Sequence, residues 1–149
     1  MITAHGHVFI DRPIGDVFDY LADSRNEPAW LPGATRVDKT TDGPVALGTT
    51  FEGDYARAGV VTLELVEYAP RERVTFRARA RIAEFDDEVT LSAEGSGTRL
   101  EAVMRARPRG WMRLLEPIMG NVMRQQFESN WTYLKQTLES ARSSGAVEP

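Results

Sequence analysis

The side chain best placed for chemistry in this sequence is that of Asp87. It lies within residues 85–94, where apolar residues such as Val89 and Leu91 alternate with polar ones, as in a β-strand with one buried face. The same alternation places Asp87 on that buried face. Because burial penalises a carboxylate, Asp87 must be hydrogen-bonded, paired or have a raised pKa. It could orient a ligand or act as a general acid or base; alternatively, it forms a partly solvated pair with Arg57 at the rim of a site.

Few other residues suit catalysis or metal binding. The chain has no cysteine and only two histidines, His5 and His7, which excludes disulfides and thiolate sites and disfavours a histidine-rich metal site. Both histidines lie on the opposite face of a predicted strand from Val8 and Ile10, so we expect them to face solvent. No serine is arranged with a histidine as in a hydrolase. We therefore expect neither a metal nor a cofactor.

The composition is ordinary for a soluble globular protein. The chain has 149 residues, of which 42% are hydrophobic and 27% charged, and this length fits one domain. Because the net charge is −4, we do not expect nucleic-acid binding, which depends on neutralising phosphates. The first residues lack the pattern of a signal peptide, and no stretch reaches the ~20 apolar residues that span a bilayer. We therefore expect a cytoplasmic protein without a transmembrane segment, and we leave its oligomeric state open.

The N-terminal region predicts one strand and two helices. Residues 4–10 alternate in polarity and form the predicted strand. Pro13 suits the first turn of a helix, where its missing N–H would have no partner, and apolar residues follow at helical spacing as far as Leu21. A second, short helix is predicted over 26–31, and Pro32 ends it.

The middle of the chain predicts a series of strands. Turn residues such as Asp42-Gly43-Pro44 and Gly95-Ser96 separate the alternating segments. Because the connections are short, neighbouring strands should pair in antiparallel fashion. The predicted strands are 34–40, 48–57, 60–68, 72–80, 85–94 and 98–107.

The last part of the chain predicts one long helix over about 111–142. Apolar residues from Phe127 to Leu138 recur at spacings of three and four, which defines one buried face. Pro117 would break an interior turn, so we expect either a kink or a restart with this proline in the first turn. Residues 143–149 are small and polar, and we expect them to form a frayed tail.

The order of these elements defines an α+β architecture. A sheet of seven strands must cover one of its faces, and only the C-terminal helix is long enough to do so. We therefore predict a single domain, residues 1–149, in which a curved seven-stranded antiparallel sheet (order β-α-α-β6-α) wraps around that helix.

Several short motifs resemble those of START-like (SRPBCC) proteins. They are, in chain order, Val8, Ile10, Pro13, Val17, Phe18 and Leu21, then Trp30-Leu31-Pro32-Gly33, Gly48-Thr49, and Gly97-Thr98-Arg99-Leu100. With the C-terminal helix they cover nearly the whole chain, and they are most similar to the polyketide cyclase/dehydrase and lipid-transport group. The resemblance implies a helix-grip fold with a cavity between the sheet and the last helix. It implies less about chemistry, because one fold hosts both binding proteins and enzymes.

The alternation also predicts which residues face this cavity. Small inward residues on adjacent strands would leave volume for a ligand; these are Gly53, Ala78, Ala80, Ala102 and Ala106. The turns at 58–59, 81–84 and 108–110 lie at one end of the sheet, which is the predicted mouth. The predicted ligand-binding residues are Trp30, Phe51, Tyr55, Arg57, Phe76, Phe85, Asp87, Met104, Trp111, Met119, Met123, Gln126 and Asn130.

The outer face of the sheet predicts a ladder of opposite charges. A turn near 82–83 would set Arg79 beside Asp86, and the next turn would set Asp86 near Arg105. Each exposed pair should contribute only ~0.2–1 kcal/mol, so we expect the ladder to set strand register and not to do chemistry. The other outward charges are Arg77, Glu88 and Arg107.

Three functions remain open at this point. Binding or transport of a hydrophobic molecule, such as a lipid, polyketide or isoprenoid, is favoured because few polar residues point inward. A metal-free cyclase or dehydratase would use Asp87 as the acid or base, with a second polar group polarising a carbonyl; the candidates for that group are Tyr55, Arg57, Gln126 and Asn130. A protein-interaction module would need a large exposed apolar patch.

Overall fold

The computed structural model describes residues 1–147, and the side chains of residues 1–141. Within these residues, a seven-stranded antiparallel sheet holds a long C-terminal helix in an α+β, helix-grip arrangement. The strands are β1 (Ile2–Ile10), β2 (Ala34–Lys39), β3 (Thr50–Tyr55), β4 (Gly59–Ala69), β5 (Arg73–Arg79), β6 (Ala83–Glu94) and β7 (Gly97–Pro108). The helices are α1 (Ile14–Ala22), α2 (Glu27–Trp30) and α3 (Glu116–Val147), with 3-10 turns at Ser24–Asn26 and Gly110–Leu115.

The sheet is an antiparallel meander from β2 to β7, with β1 added at the edge next to β7. Consecutive strands pair from β2 to β7, and β1 lies beside β7, which gives the order β1-β7-β6-β5-β4-β3-β2. The predicted strands are all present, and each observed end lies within two residues of its prediction. This agreement arises because turn residues bound each alternating segment so closely.

The core lies between the inner face of the sheet and the helices. Phe127, Trp131, Leu134 and Leu138 are all buried along one face of α3, as their spacing predicted, and α3 packs mainly against β1. The first helix, α1, contributes the fully buried Phe18. Residues 127–138, in the middle of α3, therefore form the buried part of this helix.

The start of the C-terminal helix differs from the prediction. The chain first forms the 3-10 turn at Gly110–Leu115, and α3 begins at Glu116 with Pro117 in its first turn. Of the two alternatives for Pro117, the restart is correct, because a proline in the first turn interrupts no hydrogen bond. Among the described residues, no helix is both long and apolar enough to cross a membrane.

The end of the helix also differs. α3 continues to Val147, five residues beyond the end predicted near Arg142. The frayed tail was predicted for residues 143–149, and 148–149 lie outside the described residues. Helical backbone over 143–147 means that the small polar residues there do not by themselves end the helix.

The outer charge ladder exists, with Asp86 at its centre. Asp86 accepts hydrogen bonds from Arg77 and Arg107 at 3.1 Å. Arg105 lies opposite Asp86 in the β6–β7 register, as predicted, but Arg107 makes the hydrogen bonds. The ladder therefore joins β5, β6 and β7 through one carboxylate.

The predicted pairing of Arg79 with Asp86 is wrong. Arg79 pairs with Glu84 instead. The turn between β5 and β6 is centred one residue earlier than predicted, since the Ala80 N–H donates to the carbonyl of Ala83. Moving a hairpin centre by one residue moves every cross-strand partner by two, so Arg77 lies opposite Asp86.

Candidate functional site

A pocket of about 230 Å³ lies between the inner face of the sheet, α2 and the middle of α3. Its walls are mostly apolar and aromatic, as in most small-molecule sites. The polar side chains in it are few: Glu27, Tyr55, Asp87 and Asn130. The other lining residues are Leu21, Trp30, Leu31, Ala58, Val61, Leu63, Phe76, Ala78, Phe85, Val89, Met104, Phe127 and Trp131.

Two stacked tryptophans form one wall of the pocket. The ring centroids of Trp30 and Trp131 are 5.8 Å apart, with 30° between the ring planes. Trp131 lies directly on Gly6 of β1, and a Cβ atom at residue 6 would be only 2.4 Å from Trp131 Cδ1. A side chain there would displace the indole, so Gly6 allows the close approach of α3 to β1 that positions this wall.

Glu27 enters the pocket from the first residue of α2. Its Oε1 accepts a 2.5 Å hydrogen bond from the hydroxyl of Tyr55, which lies at the end of β3. Burial raises the pKa of Glu27 to about 7, and the hydrogen bond from Tyr55 opposes this shift only in part. Burial and the neighbouring charge of Glu27 raise the pKa of Tyr55, so the phenol remains a hydrogen-bond donor at neutral pH.

Asp87 enters from β6 and differs from Glu27 in having no donor on its buried oxygen. Oδ1 is inaccessible to solvent and has no hydrogen-bond partner within the described residues. Burial raises the pKa of Asp87 to about 7, and the negative charges of Glu27 and Asp86 add to the effect. The pocket therefore contains two carboxyl groups that are poised to change protonation near neutral pH.

The structure brings together seven of the residues predicted from the sequence. Those that line the pocket are Trp30, Tyr55, Phe76, Phe85, Asp87, Met104 and Asn130. Asn130 accepts a 2.8 Å hydrogen bond from Gln126, which itself lies outside the pocket. Strand alternation was thus sufficient to select the inward residues of the central strands, because successive side chains point to opposite faces.

The remaining predicted residues lie elsewhere. Arg57, Met123 and Gln126 border a shallower depression that shares Met104, Phe127 and Asn130 with the pocket. Phe51 is fully buried in the hydrophobic core, and the partly buried Met119 packs against that core. Trp111 is 70% exposed, and the 3-10 turn that carries it has no buried residue.

Two inferences attached to these residues are wrong. Arg57 forms no ion pair with Asp87 among the described residues, and Asp87 Oδ1 remains unpartnered. Of the small inward residues, only Ala78 lines the pocket. Gly53 packs closely instead, since a Cβ there would lie 2.8 Å from the Tyr55 ring. The bulk of neighbouring side chains, and not residue size alone, therefore determines where volume remains.

Glu27 is the polar pocket residue that no sequence pattern predicted. It lies in a four-residue helix that has neither a strand period nor a full helical stripe, so no pattern assigned its side chain to a face. Its only sequence clue was that it precedes Pro28 in the segment leading to Trp30-Leu31-Pro32-Gly33. That segment is part of the START-like resemblance, and it forms one side of the pocket.

The chain belongs to the polyketide cyclase/dehydrase and lipid transport family, whose model matches residues 1–139. No curated protein matches the chain in sequence. Membership supports, in general terms, a function in hydrophobic ligand binding or of the polyketide cyclase type. The START-like resemblance drawn from the sequence is confirmed.

Solved structures show the same fold at low sequence identity. The protein TTHA0849 from Thermus thermophilus has a TM-score of 0.75 at 15% identity, covering 93% of this chain and 98% of that one. A START superfamily protein from Mycobacterium smegmatis has a TM-score of 0.73 at 11% identity, covering 95% and 97%. The di-domain ARO/CYC BexL, from the BE-7585A biosynthetic pathway, has a TM-score of 0.73 at 18% identity, covering 93% of this chain and 47% of that one.

Proposed function

We propose that this protein binds a compact, largely apolar molecule in the pocket between the sheet and α3, and that Glu27, Tyr55 and Asp87 hold its polar group. The observation that carries the proposal is the convergence of these three side chains in an otherwise apolar pocket. An apolar wall supplies affinity through buried area, at roughly 25 cal/mol per Å². A few placed polar groups supply orientation. Family membership supports the same class of function.

The size of the pocket limits the size of the ligand. Its volume of about 230 Å³ is below the ~300–1,000 Å³ of typical ligand sites. We therefore expect a molecule with one to three rings, or a short isoprenoid, and not a whole phospholipid. The adjoining depression around Arg57 and Met123 offers the route by which a longer substituent would leave the pocket.

A second candidate function is acid–base catalysis of the cyclase or dehydratase type. The specific observation in its favour is that two carboxyl groups, each with a pKa of about 7, share one pocket with a phenol donor. A general acid or base works best when its pKa is near the working pH. Here Asp87, with its unpartnered oxygen, would exchange the proton, and Tyr55 would polarise a carbonyl by moving its hydroxyl hydrogen bond from Glu27 to the substrate.

A dye titration tests the binding function. The apolar dye N-phenyl-1-naphthylamine should bind the wild type and lose affinity at least ~10-fold in Ala78→Leu, because leucine fills the pocket. Ala141→Leu adds the same side chain at an exposed position of α3 and should bind like the wild type. Equal dye affinity in all three proteins would rule out this pocket as the binding site.

Turnover separates the two candidates. Once a substrate is found, for instance by native mass spectrometry of protein purified from its source, Asp87→Asn distinguishes them. If the protein only binds its ligand, the substitution changes the ligand affinity, and neither the wild type nor the variant shows turnover. In an enzyme, ligand still binds but turnover falls by ~10²–10⁴-fold, the usual contribution of a positioned acid or base.

A further inference from the structure

The pocket has an unbalanced set of charges. Glu27 and Asp87 line it, whereas none of its lining residues is Lys, Arg or His. The arginines of the neighbouring strands do not compensate, because they lie on the outer face, where Arg77 and Arg107 bind Asp86. Arg57 borders the adjoining depression, so a ligand inside the pocket meets two acids and no cation among the lining residues.

One carboxylate oxygen of the two acids, Asp87 Oδ1, accepts no hydrogen bond within the described part of the chain. Tyr55 donates to Glu27, but Asp87 Oδ1 is buried and accepts nothing from the described residues. A buried carboxylate oxygen without a donor is costly. A ligand that carries a hydrogen-bond donor would satisfy this oxygen.

The remaining walls are suited to a positive charge. Five aromatic residues besides Tyr55 line the pocket together with the acids: Trp30, Phe76, Phe85, Phe127 and Trp131. Aromatic faces carry negative potential and attract ammonium groups, most strongly where water is excluded. Carboxylates combined with aromatic faces form an environment for an organic cation, and the same environment repels carboxylate and phosphate ligands.

From these observations we infer that the pocket selects an organic amine, a compact apolar molecule whose protonated nitrogen lies between Glu27 and Asp87. The inference rests on the proposed binding function, because it names the ligand class of the same pocket. A neutral hydroxyl would satisfy Asp87 Oδ1 but would leave the two acids without a countercharge. An ammonium group supplies both donors and charge.

Amine binding should depend on pH. In the empty pocket, burial raises the pKa of Glu27 and of Asp87 to about 7, so both acids are largely protonated at pH 5.5. The titratable groups that act on Asp87 inside the pocket are Glu27 and Tyr55; on the outer face of the sheet, the charge of Asp86 also acts on it, and Arg77 and Arg107 pair with Asp86. A cation favours the ionised acids. Amine binding should therefore release protons and strengthen as pH rises from 5.5 to 8.

Two probes with the same ring test the inference by isothermal titration calorimetry. These are 1-naphthylmethylamine, charged at both pH values, and 1-naphthalenemethanol, which is neutral. At pH 8 we expect the amine to bind at least ~10-fold more tightly than the alcohol, the effect of one well-formed charge-assisted contact. At pH 5.5 the difference should shrink to ~3-fold or less, and the amine titration should show proton release in buffers of different ionisation enthalpy.

Variants locate the effect. Asp87→Asn and Glu27→Gln should each weaken amine binding at pH 8 by ~10-fold while changing alcohol binding by less than ~3-fold. Glu88→Gln removes an acid from the next residue of β6, which points away from the pocket, and should leave both probes unchanged.

The outcomes separate this inference from the proposed function. If amine and alcohol bind equally, or the alcohol binds more tightly, the amine inference is overturned and the binding function stands. If neither probe binds but N-phenyl-1-naphthylamine still does, the amine inference again fails alone. If the dye also fails to bind, the proposed function falls with it.

Discussion

Asp86 and Asp87 are adjacent on β6, but they point to opposite faces of the sheet. Asp86 lies between Arg77 and Arg107 at 3.1 Å from each. Partial burial alone would raise its pKa, but hydrogen bonds and charges from these arginines lower it below the ordinary value. Asp87 faces the pocket without a donor on Oδ1, and burial raises its pKa to about 7. A single step along a pleated strand therefore reverses the electrostatic character of the same residue type.

The difference separates a paired carboxylate, Asp86, from one whose buried oxygen has no partner among the described residues, Asp87. The outer carboxylate is ionised, paired and satisfied, and it stabilises the register of three strands. The inner carboxylate costs stability at neutral pH, because its charged form is buried without a counterion. Residues that reduce stability in this way are found preferentially at functional sites. This tendency supports the role proposed for Asp87.

The largest expected effect is on the stability of Asp87→Asn. The ordinary pKa of Asp87 is 3.8 and the folded value is about 7, so the folded state binds more protons than the unfolded state between these values. Its penalty is absent below about pH 4, grows as pH rises, and is complete above about pH 7. We expect Asp87→Asn to be more stable than the wild type by ~1–3 kcal/mol at pH 8 and nearly equal at pH 4.

Urea unfolding at the two pH values measures this difference. The control Glu88→Gln, on the outer face of the same strand, should change the free energy of unfolding by less than ~0.5 kcal/mol at either pH. A variant that is less stable than the wild type at pH 8 would show that Asp87 has a favourable partner in the folded state.

An intermediate effect is expected for Tyr55→Phe. The substitution removes the hydroxyl that donates to Glu27, and with it the hydrogen bond that lowers the pKa of Glu27 most. We expect its pKa to rise further and the protein to lose ~1–2 kcal/mol at pH 8, the cost of an unsatisfied buried acceptor. Carboxyl-detected NMR titration follows the pKa, and Tyr133→Phe, at an exposed position of α3, is the matched control. An unchanged Glu27 titration would contradict the assigned hydrogen bond.

The smallest effect is expected for Asp86→Asn. Because Asp86 and its two arginines are partly exposed, the loss should be only ~0.5–1 kcal/mol at pH 7. The folded pKa of Asp86 is lowered, so its contribution is present above the ordinary value of 3.8 and disappears as pH falls through the folded value. Salt at about 1 M should reduce the difference, and a salt-independent loss would indicate that packing, not charge, is responsible.

Strand alternation made the sheet and the orientation of Asp87 predictable. The prediction failed where the chain has no period. The turn at Arg81-Ile82 was misplaced by one residue, which exchanged Arg79 for Arg77 as the partner of Asp86. Trp111 was assigned to the mouth of the pocket because it follows the turn at 108–110, but it lies in a 3-10 turn without buried residues and is exposed.

The sequence by itself determined which face each strand residue occupies, because side chains alternate across a pleated sheet whatever lies on it. Only the tertiary structure decided that Glu27 meets Tyr55, 28 residues along the chain, and that both lie in one pocket with Asp87. The physical reason is that these contacts join distant parts of the chain and form only when the elements pack together. The contacts then set the burial and the neighbouring charges on which the pKa of each group depends. The local sequence pattern therefore predicted the position of Asp87, and only the packing of the elements placed Glu27 in the same pocket.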